Sequence, residues 1–495
     1  MSYLDLVKLL IPEIAVVVTA LIVLAVGLTT KTTRGTPAQS GFCSMVAAVG
    51  LLGAMAGFLL LPAQARMFDG MIVVTPLTSL FKIICLALAF FTVLLASGGQ
   101  PLRNQGEYLA VLLLATVGLM LLVGSEELLM IFIGLELTGL SLYTMVAFDK
   151  TDVRSAEAGL KYFLFGSTAS AFTLFGLSLV YGMSGTTVLQ GIALKVSSAP
   201  VAPLLAAGLV MTLIGFAFKV AAAPFHLWAP DAYQGGPPSS AAFIASGSKV
   251  ASFFVLGKIV LVGFGPLAGS AAWHAMVSGW TPVLAALAAF SIIIGNLVAL
   301  VQSNVRRLLA YSAVAHAGYT LLGLVAGGKD GFSATLFYTT TYAFTLVGAF
   351  GVIALVRQQT GGDDLRNFSG LHSRSPLLAG CMAVFMLSLA GLPPLAGFFG
   401  KFYLFSAALR SAETSGLLWL VALALFGSLI SLYYYLMVLK AIFLDEKAAE
   451  EVATQPGSAS PGSWPQATIA LLAAIVIFLG VNPASLLSRI AASLP

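Results

Sequence analysis

Apolar residues fill this chain in long continuous blocks, each closed by a short cluster of Gly, Pro or charged residues. The blocks do not alternate with the period of two that a transmembrane β-barrel needs. A helix crossing a bilayer core of roughly 30 Å requires about 20 apolar residues. About fourteen blocks meet that length: 9–28, 42–61, 77–97, 108–123, 128–147, 160–181, 203–223, 239–264, 281–300, 309–326, 333–356, 377–411 with a break, 417–443 and 466–487. The pattern predicts an all-α polytopic membrane protein. The polar stretches 149–158, 357–376 and 445–465 read as loops, the last a variable linker. After about residue 487 no apolar stretch remains to form a further long helix.

Two blocks are interrupted. The seventh runs through Lys219-Val220-Ala221-Ala222-Ala223-Pro224, and the twelfth contains Gly391-Leu392-Pro393-Pro394 followed by Gly397, Gly400 and Lys401. Proline removes a backbone donor and kinks a helix. Unpaired backbone is too costly in lipid unless it is covered by protein or lines a wet cavity. Broken helices at corresponding positions of two halves point to a transporter built from inverted repeats. The breaks at Pro224 and at Pro393 and Pro394 fall five helices apart, so the chain divides into helices 1–3 over 1–107, repeats over 108–264 and 265–443, and a linker with a last helix over 444–495.

Charge changes the picture from scaffold to conduit. Only 9% of residues are charged against 59% hydrophobic, yet Glu136, Lys219, Lys249, Lys258 and Lys401 all fall inside apolar blocks. An ionisable group at a helix centre costs roughly 2.5–3.5 kcal/mol on insertion scales, and several together suggest a polar path for ions or protons. Facing carboxylate and amine stabilise each other's charges, and separating them releases a proton more readily. A movable Glu136–Lys219 contact would therefore switch proton affinity; the plain alternative is a fixed ion pair that holds helices together. His316, mid-block, can both accept and donate. Glu157 and Lys161, four residues apart at the start of the sixth block, read equally as an i,i+4 pair or as a polar lead-in to Glu136. Lys258 and Lys82, nearer block ends, read as snorkelling lysines. Glu126 and Glu127 read as solvated helix-start acids, and His226 and Asp231 as residues that shape the loop after the first break.

The first block reads as a retained helix, because Lys31 and Arg34 follow it while Lys8 alone precedes it, the reverse of a cleaved leader. Loops after odd-numbered blocks carry the excess of Lys and Arg, among them Arg103, Lys150, Arg154, Arg306, Arg307 and Lys447. The positive-inside rule then puts those loops in the cytoplasm and both termini outside, in the periplasm if the membrane is a bacterial inner membrane. The net charge of +5 follows from this asymmetry and suggests no nucleic-acid partner. Cys43, Cys85 and Cys381 lack metal-ligand spacing, and the chain has no phosphate-binding glycine loop, so no cofactor or metal site is expected in it.

These residues together resemble the antiporter-like proton-translocating membrane subunits. The resemblance rests on Gly134-Leu135-Glu136, Lys219–Asp231, Gly247-Ser248-Lys249 and Gly391-Leu392-Pro393-Pro394 with Lys401. Leu10-Ile11-Pro12-Glu13 and Leu160-Lys161-Tyr162-Phe163-Leu164-Phe165-Gly166-Ser167 are similar to the subunit N family of bacterial NADH:quinone oxidoreductase, complex I. Lysine at 401, where the related subunit M carries glutamate, points the same way, as does the lack of subunit L's long lateral helix. The resemblance implies fourteen helices with two inverted five-helix repeats, broken at helices 7 and 12. It implies proton-translocation roles for Glu136, Lys219, Lys249, His316 and Lys401. It also implies partner subunits that hold FMN, the iron–sulfur clusters and quinone. The rival reading is a subunit of a multi-subunit cation/proton antiporter without redox chemistry; a third is a scaffold whose charges only pair.

Overall fold

The computed structural model describes residues 3–29, 37–98, 104–197, 202–411, 416–445 and 462–494. Lys31, Arg34, Arg103, Lys447 and most of the 445–465 linker lie outside them. The chain is helical almost throughout, because lipid offers backbone groups no partner and the helix satisfies them internally. A short helix, α1 (Tyr3–Leu9), leads into α2 (Ile11–Thr29), α3 (Pro37–Gly57), α4 (Pro76–Gly98), α5 (Gln105–Val123), α6 (Leu128–Val146) and α7 (Val153–Ser184). After a surface helix, α8 (Leu189–Ser197), come α9 (Pro203–Lys219), α10 (Trp228–Gly235), α11 (Pro238–Phe243), α12 (Lys249–Lys258), α13 (Trp280–Ala299), α14 (Val305–Ala326) and α15 (Gly328–Thr360). The remainder is α16 (Leu371–Arg374), α17 (Pro376–Ala390), α18 (Ala396–Arg410), α19 (Leu418–Leu444), α20 (Ser463–Val481) and α21 (Ala484–Ser493). Among the described residues, 12 helical spans are long and apolar enough to cross a membrane, and α9 and α17 are shorter apolar helices. Counting each shorter helix with the piece beyond its break, the segments follow the predicted order.

Several boundaries differ from the sequence expectation: α7 begins at Val153, inside the stretch 149–158 read as a loop, and α15 outruns the block 333–356 at both ends. The seventh block stops at Lys219, because Ala221 adopts positive φ and Pro224 follows. The fourteenth stops at Val481, because Asn482-Pro483 ends the helix; a separate ten-residue helix follows, with Ile490 buried. A small antiparallel hairpin, β1 (Ala65–Met67) and β2 (Ile72–Val74), joins α3 to α4. It turns at Asp69 and Gly70, both at positive φ.

The same local devices recur five segments apart. Glu127 caps α6 by accepting from Leu129 and Met130 N–H, and Asn304 caps α14 by accepting from Arg307 N–H. Each cap residue also bridges the strand-like segment that follows the next long helix, Glu127 with Val188 and Asn304 with Asp364. Those long helices, α7 and α15, both end on a left-handed glycine, Gly185 and Gly361. Helix pairing repeats too: α5 packs on α6 and α13 on α14, α7 on α9 and α15 on α17. Five helical segments separate the two sets of devices. Helix α15 is enclosed by α14, α17, α18 and α20, which puts its polar side chains at the centre of the bundle.

Candidate functional site: a buried polar axis

Each break ends the regular hydrogen-bond ladder of a helix, and the last carbonyls concentrate partial negative charge that favours a cation or donor. At the second break Lys401 supplies it: its Nζ donates to the carbonyls of Leu389 and Ala390 at 3.0 and 3.1 Å and to Ser428 Oγ at 2.9 Å. At the first break the Trp228 indole N–H donates to the Phe218 carbonyl at 3.0 Å, and Ala223 N–H reaches Ser291 Oγ at 2.8 Å. The broken backbone is thus covered by protein, as lipid requires.

Helix α14 connects the charges. On its successive turns Ala313 offers its carbonyl to Lys249 Nζ at 2.7 Å, His316 presents its ring, and Tyr319 lies 5.3 Å beneath Lys401 Nζ. The spacing of three keeps all three on one face. His316 is held at both nitrogens, Nδ1 by Tyr338 Oη at 2.6 Å and Nε2 by Tyr435 Oη at 2.9 Å, and Tyr435 Oη continues to Ser312 Oγ at 2.5 Å. A neutral imidazole must donate through one nitrogen and accept through the other, so this line of groups can pass hydrogen-bond polarity either way. Tyr342 stacks on His316 at 4.8 Å and lies 5.7 Å below Lys249 Nζ. Lys249, His316 and Lys401 are buried.

The first half differs from its expected contact. Among the described residues no ion pair joins Glu136 to Lys219. Lys219 Nζ makes one long hydrogen bond to the Leu135 carbonyl at 3.4 Å, and Glu136 accepts from Ser170 Oγ at 2.5 Å. Lys219 enters from α9 onto the α6 backbone at Leu135, the residue before Glu136. Both residues are only partly buried.

Other sequence expectations are corrected. Lys258 does not snorkel: it is 7% exposed and lies 3.2 Å from Glu126. Glu127 is a buried cap and not a solvated acid. Lys82 is also interior, donating to Glu13 at 2.6 Å. Asp231 does more than shape a loop: it joins Lys161 at 3.0 Å and Arg307 at 2.9 Å, while Lys161 also holds Glu157 at 2.7 Å. Glu157, Lys161 and Asp231 line an open polar cavity of about 800 Å³ with Arg154, Arg357, Asp363 and Asp364. It lies at the ends of α7 and α15 that the positive-inside rule assigns to the cytoplasm. Arg306, buried beside it, pairs with Asp363 and donates to the Gly236 carbonyl at 2.7 Å. Sequence reading missed the buried tyrosines around the axis; their clustering on α14, α15 and α19 at helical spacing was the available signal.

A bundle broken at its seventh and twelfth segments, with buried lysines joined along one helix, defines a membrane subunit of the antiporter-like class. Residues 125–431 match the family described as NADH:quinone oxidoreductase/Mrp antiporter, TM. The chain is 45% identical, over 97% of its length and 98% of the relative's, to NADH-quinone oxidoreductase subunit N 2 of Acidobacterium capsulatum. A chain of respiratory complex I from Thermus thermophilus, solved with bound aureothin, superposes with a TM-score of 0.78 at 33% identity, covering 98% of this chain and 100% of that one. The chain therefore belongs to the NADH-quinone oxidoreductase subunit N family. A chain of the Mrp complex from Dietzia sp. DQ12-45-1b shares the fold, with a TM-score of 0.83 at 20% identity over 99% of this chain and 97% of that one. Fold alone thus does not separate redox complex from antiporter; the subunit N relatives favour the redox complex.

Proposed function

We propose that this chain is the subunit N of a bacterial complex I and carries protons across the inner membrane while neighbouring subunits pass electrons from NADH to quinone. FMN, iron–sulfur clusters and quinone would be held by those partners, and this chain would act only on protons. Both termini would face the periplasm. The N-terminal helices over 1–107 flank two antiporter-like repeats over 108–264 and 265–443.

The observation that carries the proton role is the series Lys249, His316 and Lys401 strung along one face of α14, every member hydrogen-bonded inside the bundle. Charges at this depth are retained against a cost of several kcal/mol, and static pairing does not account for them, because Lys249 and Lys401 rest on carbonyls and hydroxyls and not on carboxylates. Such a lysine can lose its proton without leaving an unpaired anion behind. Glu136, partly exposed at mid-bilayer, would sense the charge state of a neighbouring subunit. A change there would alter its influence on Lys219, which would pass a proton to Lys249. His316 would then relay through its two tyrosine hydroxyls toward Lys401 and the outer face. Glu157 and Lys161 at the cytoplasmic cavity would feed the first half. Lys258, paired with Glu126 near the opposite face, is a secondary candidate.

Replacement of Glu136 by Gln or Lys219 by Ala in the assembled complex tests the reading. Proton translocation per NADH oxidised is expected to fall while NADH oxidation by an artificial acceptor, which bypasses quinone, continues. Undiminished translocation in both variants contradicts it.

A further inference from the structure

Tyr143 carries a hydroxyl that nothing in the site so far uses. It is buried at 6% exposure, and its Oη has no hydrogen-bond partner among the described residues. A buried hydroxyl left unsatisfied is costly, so it calls for a partner that comes and goes. The neighbourhood supplies one. Lys219 Nζ lies 5.8 Å from the Tyr143 ring centroid. A Cβ added at Gly139, one turn before Tyr143 on α6, would stand 2.8 Å from Lys219 Nζ and 3.2 Å from Tyr143 Oη. The amine and the phenol thus flank one glycine, and the missing side chain is what leaves the space between them open. On the opposite wall, a Cβ at Gly166 of α7 would stand 2.0 Å from the same hydroxyl. Two helices therefore each give up a side chain around this one oxygen.

The order of groups gives the hydroxyl a direction. Glu136 and Leu135 lie on the mid-bilayer side of Gly139, and Tyr143 lies on the side toward the cytoplasmic cavity. On antiparallel α7 the same order runs Ser170 at Glu136, Gly166 at the Tyr143 hydroxyl, then Lys161 at the cavity wall. Lys219 spends one of its three N–H donors on a single 3.4 Å bond at the Glu136 end. A swing of its flexible stem past Gly139 would replace that bond with a shorter one to Tyr143.

We propose that Tyr143 is the second station of Lys219, the hydroxyl through which its amine exchanges protons with the cytoplasmic cavity; this rests on the proton-carrying role proposed above. In the uptake step a hydronium ion of the cavity gives up a proton and becomes water; that proton bonds to the phenol oxygen as the original O–H bond breaks and its proton joins the neutral amine. The phenol is regenerated, and no electron is exchanged. Lys219 then returns toward Leu135 and Glu136 charged. Gly139 keeps the route open.

The test uses the assembled complex in sealed vesicles with Tyr143→Phe, Gly139→Ala and Lys219→Ala. Tyr143→Phe keeps the ring contacts and removes only the oxygen. Gly139→Ala keeps both polar groups and fills the space between them. Both are expected to lower NADH-driven proton translocation by roughly a hundredfold, the lower end for a positioned proton-transfer group. The rate that remains is expected to show a larger solvent deuterium effect than wild type, which lost packing alone would not produce. Wild-type translocation in Tyr143→Phe while Lys219→Ala is impaired overturns the relay alone. Wild-type translocation in Lys219→Ala overturns the reading beneath it. Should Tyr143→Phe fail to assemble, Gly139→Ala decides, and an unchanged rate and isotope effect there overturn the proposal.

Discussion

Single residues in this bundle separate into charges that pair and charges that do not. Glu13 and Lys82 pair at 2.6 Å with 6% and 4% of their side chains exposed. Removing one partner strands the other, a loss of about 3–5 kcal/mol, whereas replacing both with apolar groups leaves no stranded charge. Lys82→Met is therefore expected to lower the thermal midpoint of the purified complex, and Glu13→Gln with Lys82→Met to recover much of the loss; equal destabilisation by single and double variants speaks against the pairing. The axis lysines answer to another rule, since their partners are uncharged. The sequence made Glu136, Lys219, Lys249, His316 and Lys401 legible because an ionisable residue inside an apolar block is conspicuous. It did not reveal that Lys82, Glu127 and Lys258 are interior, because a charge near a block end has the same local pattern whether it reaches water or packs inside the bundle. Only tertiary structure tells these apart. Tyr143 was hidden for a related reason: a tyrosine in an apolar block looks like packing until its hydroxyl is found without a partner.

Elements carry the second level of the design, and its signals are glycine and proline. The breaks after Lys219 and Ala390 were readable from Pro224, Pro393 and Pro394. The break's exact extent was not, since Ala221 takes up positive φ with no sequence mark. Gly391 ends α17 at φ 85°, and a Cβ there would stand 3.0 Å from Lys401 Cδ. Gly391→Ala is thus expected to cost about 1–2 kcal/mol for the left-handed backbone and to displace the Lys401 amine from the Leu389 and Ala390 carbonyls. The expected readout is a lowered thermal midpoint together with slower proton translocation; a variant that is destabilised but translocates normally would separate the helix end from the axis. Glu127→Ala, which removes the cap of α6, is expected to cost about 1 kcal/mol with little effect on translocation, because Glu127 lies off the polar axis. A thermal melt and a translocation assay on the same preparation check both halves of that statement.

At the scale of the whole molecule, hydropathy was enough to place the helical segments in order, because lipid favours helices of bilayer length. A relation between the two halves showed in the sequence only as a matching pair of breaks. The structure adds matching caps at Glu127 and Asn304, matching glycine ends at Gly185 and Gly361, and the same helix pairings. The open polar cavity had no sequence signature: Lys161, Asp231, Arg357 and Asp363 come from separate helices and loops, and only the fold assembles them. The central claim is that protons cross this chain along the axis joining its halves, and Lys249 stands where the two halves meet. The most direct measurement is the number of protons translocated per NADH oxidised by the intact complex in sealed vesicles, with Lys249 replaced by Ala and assembly verified. The account predicts a lower ratio, or coupled turnover slowed with the ratio held. A wild-type ratio at wild-type turnover would contradict it.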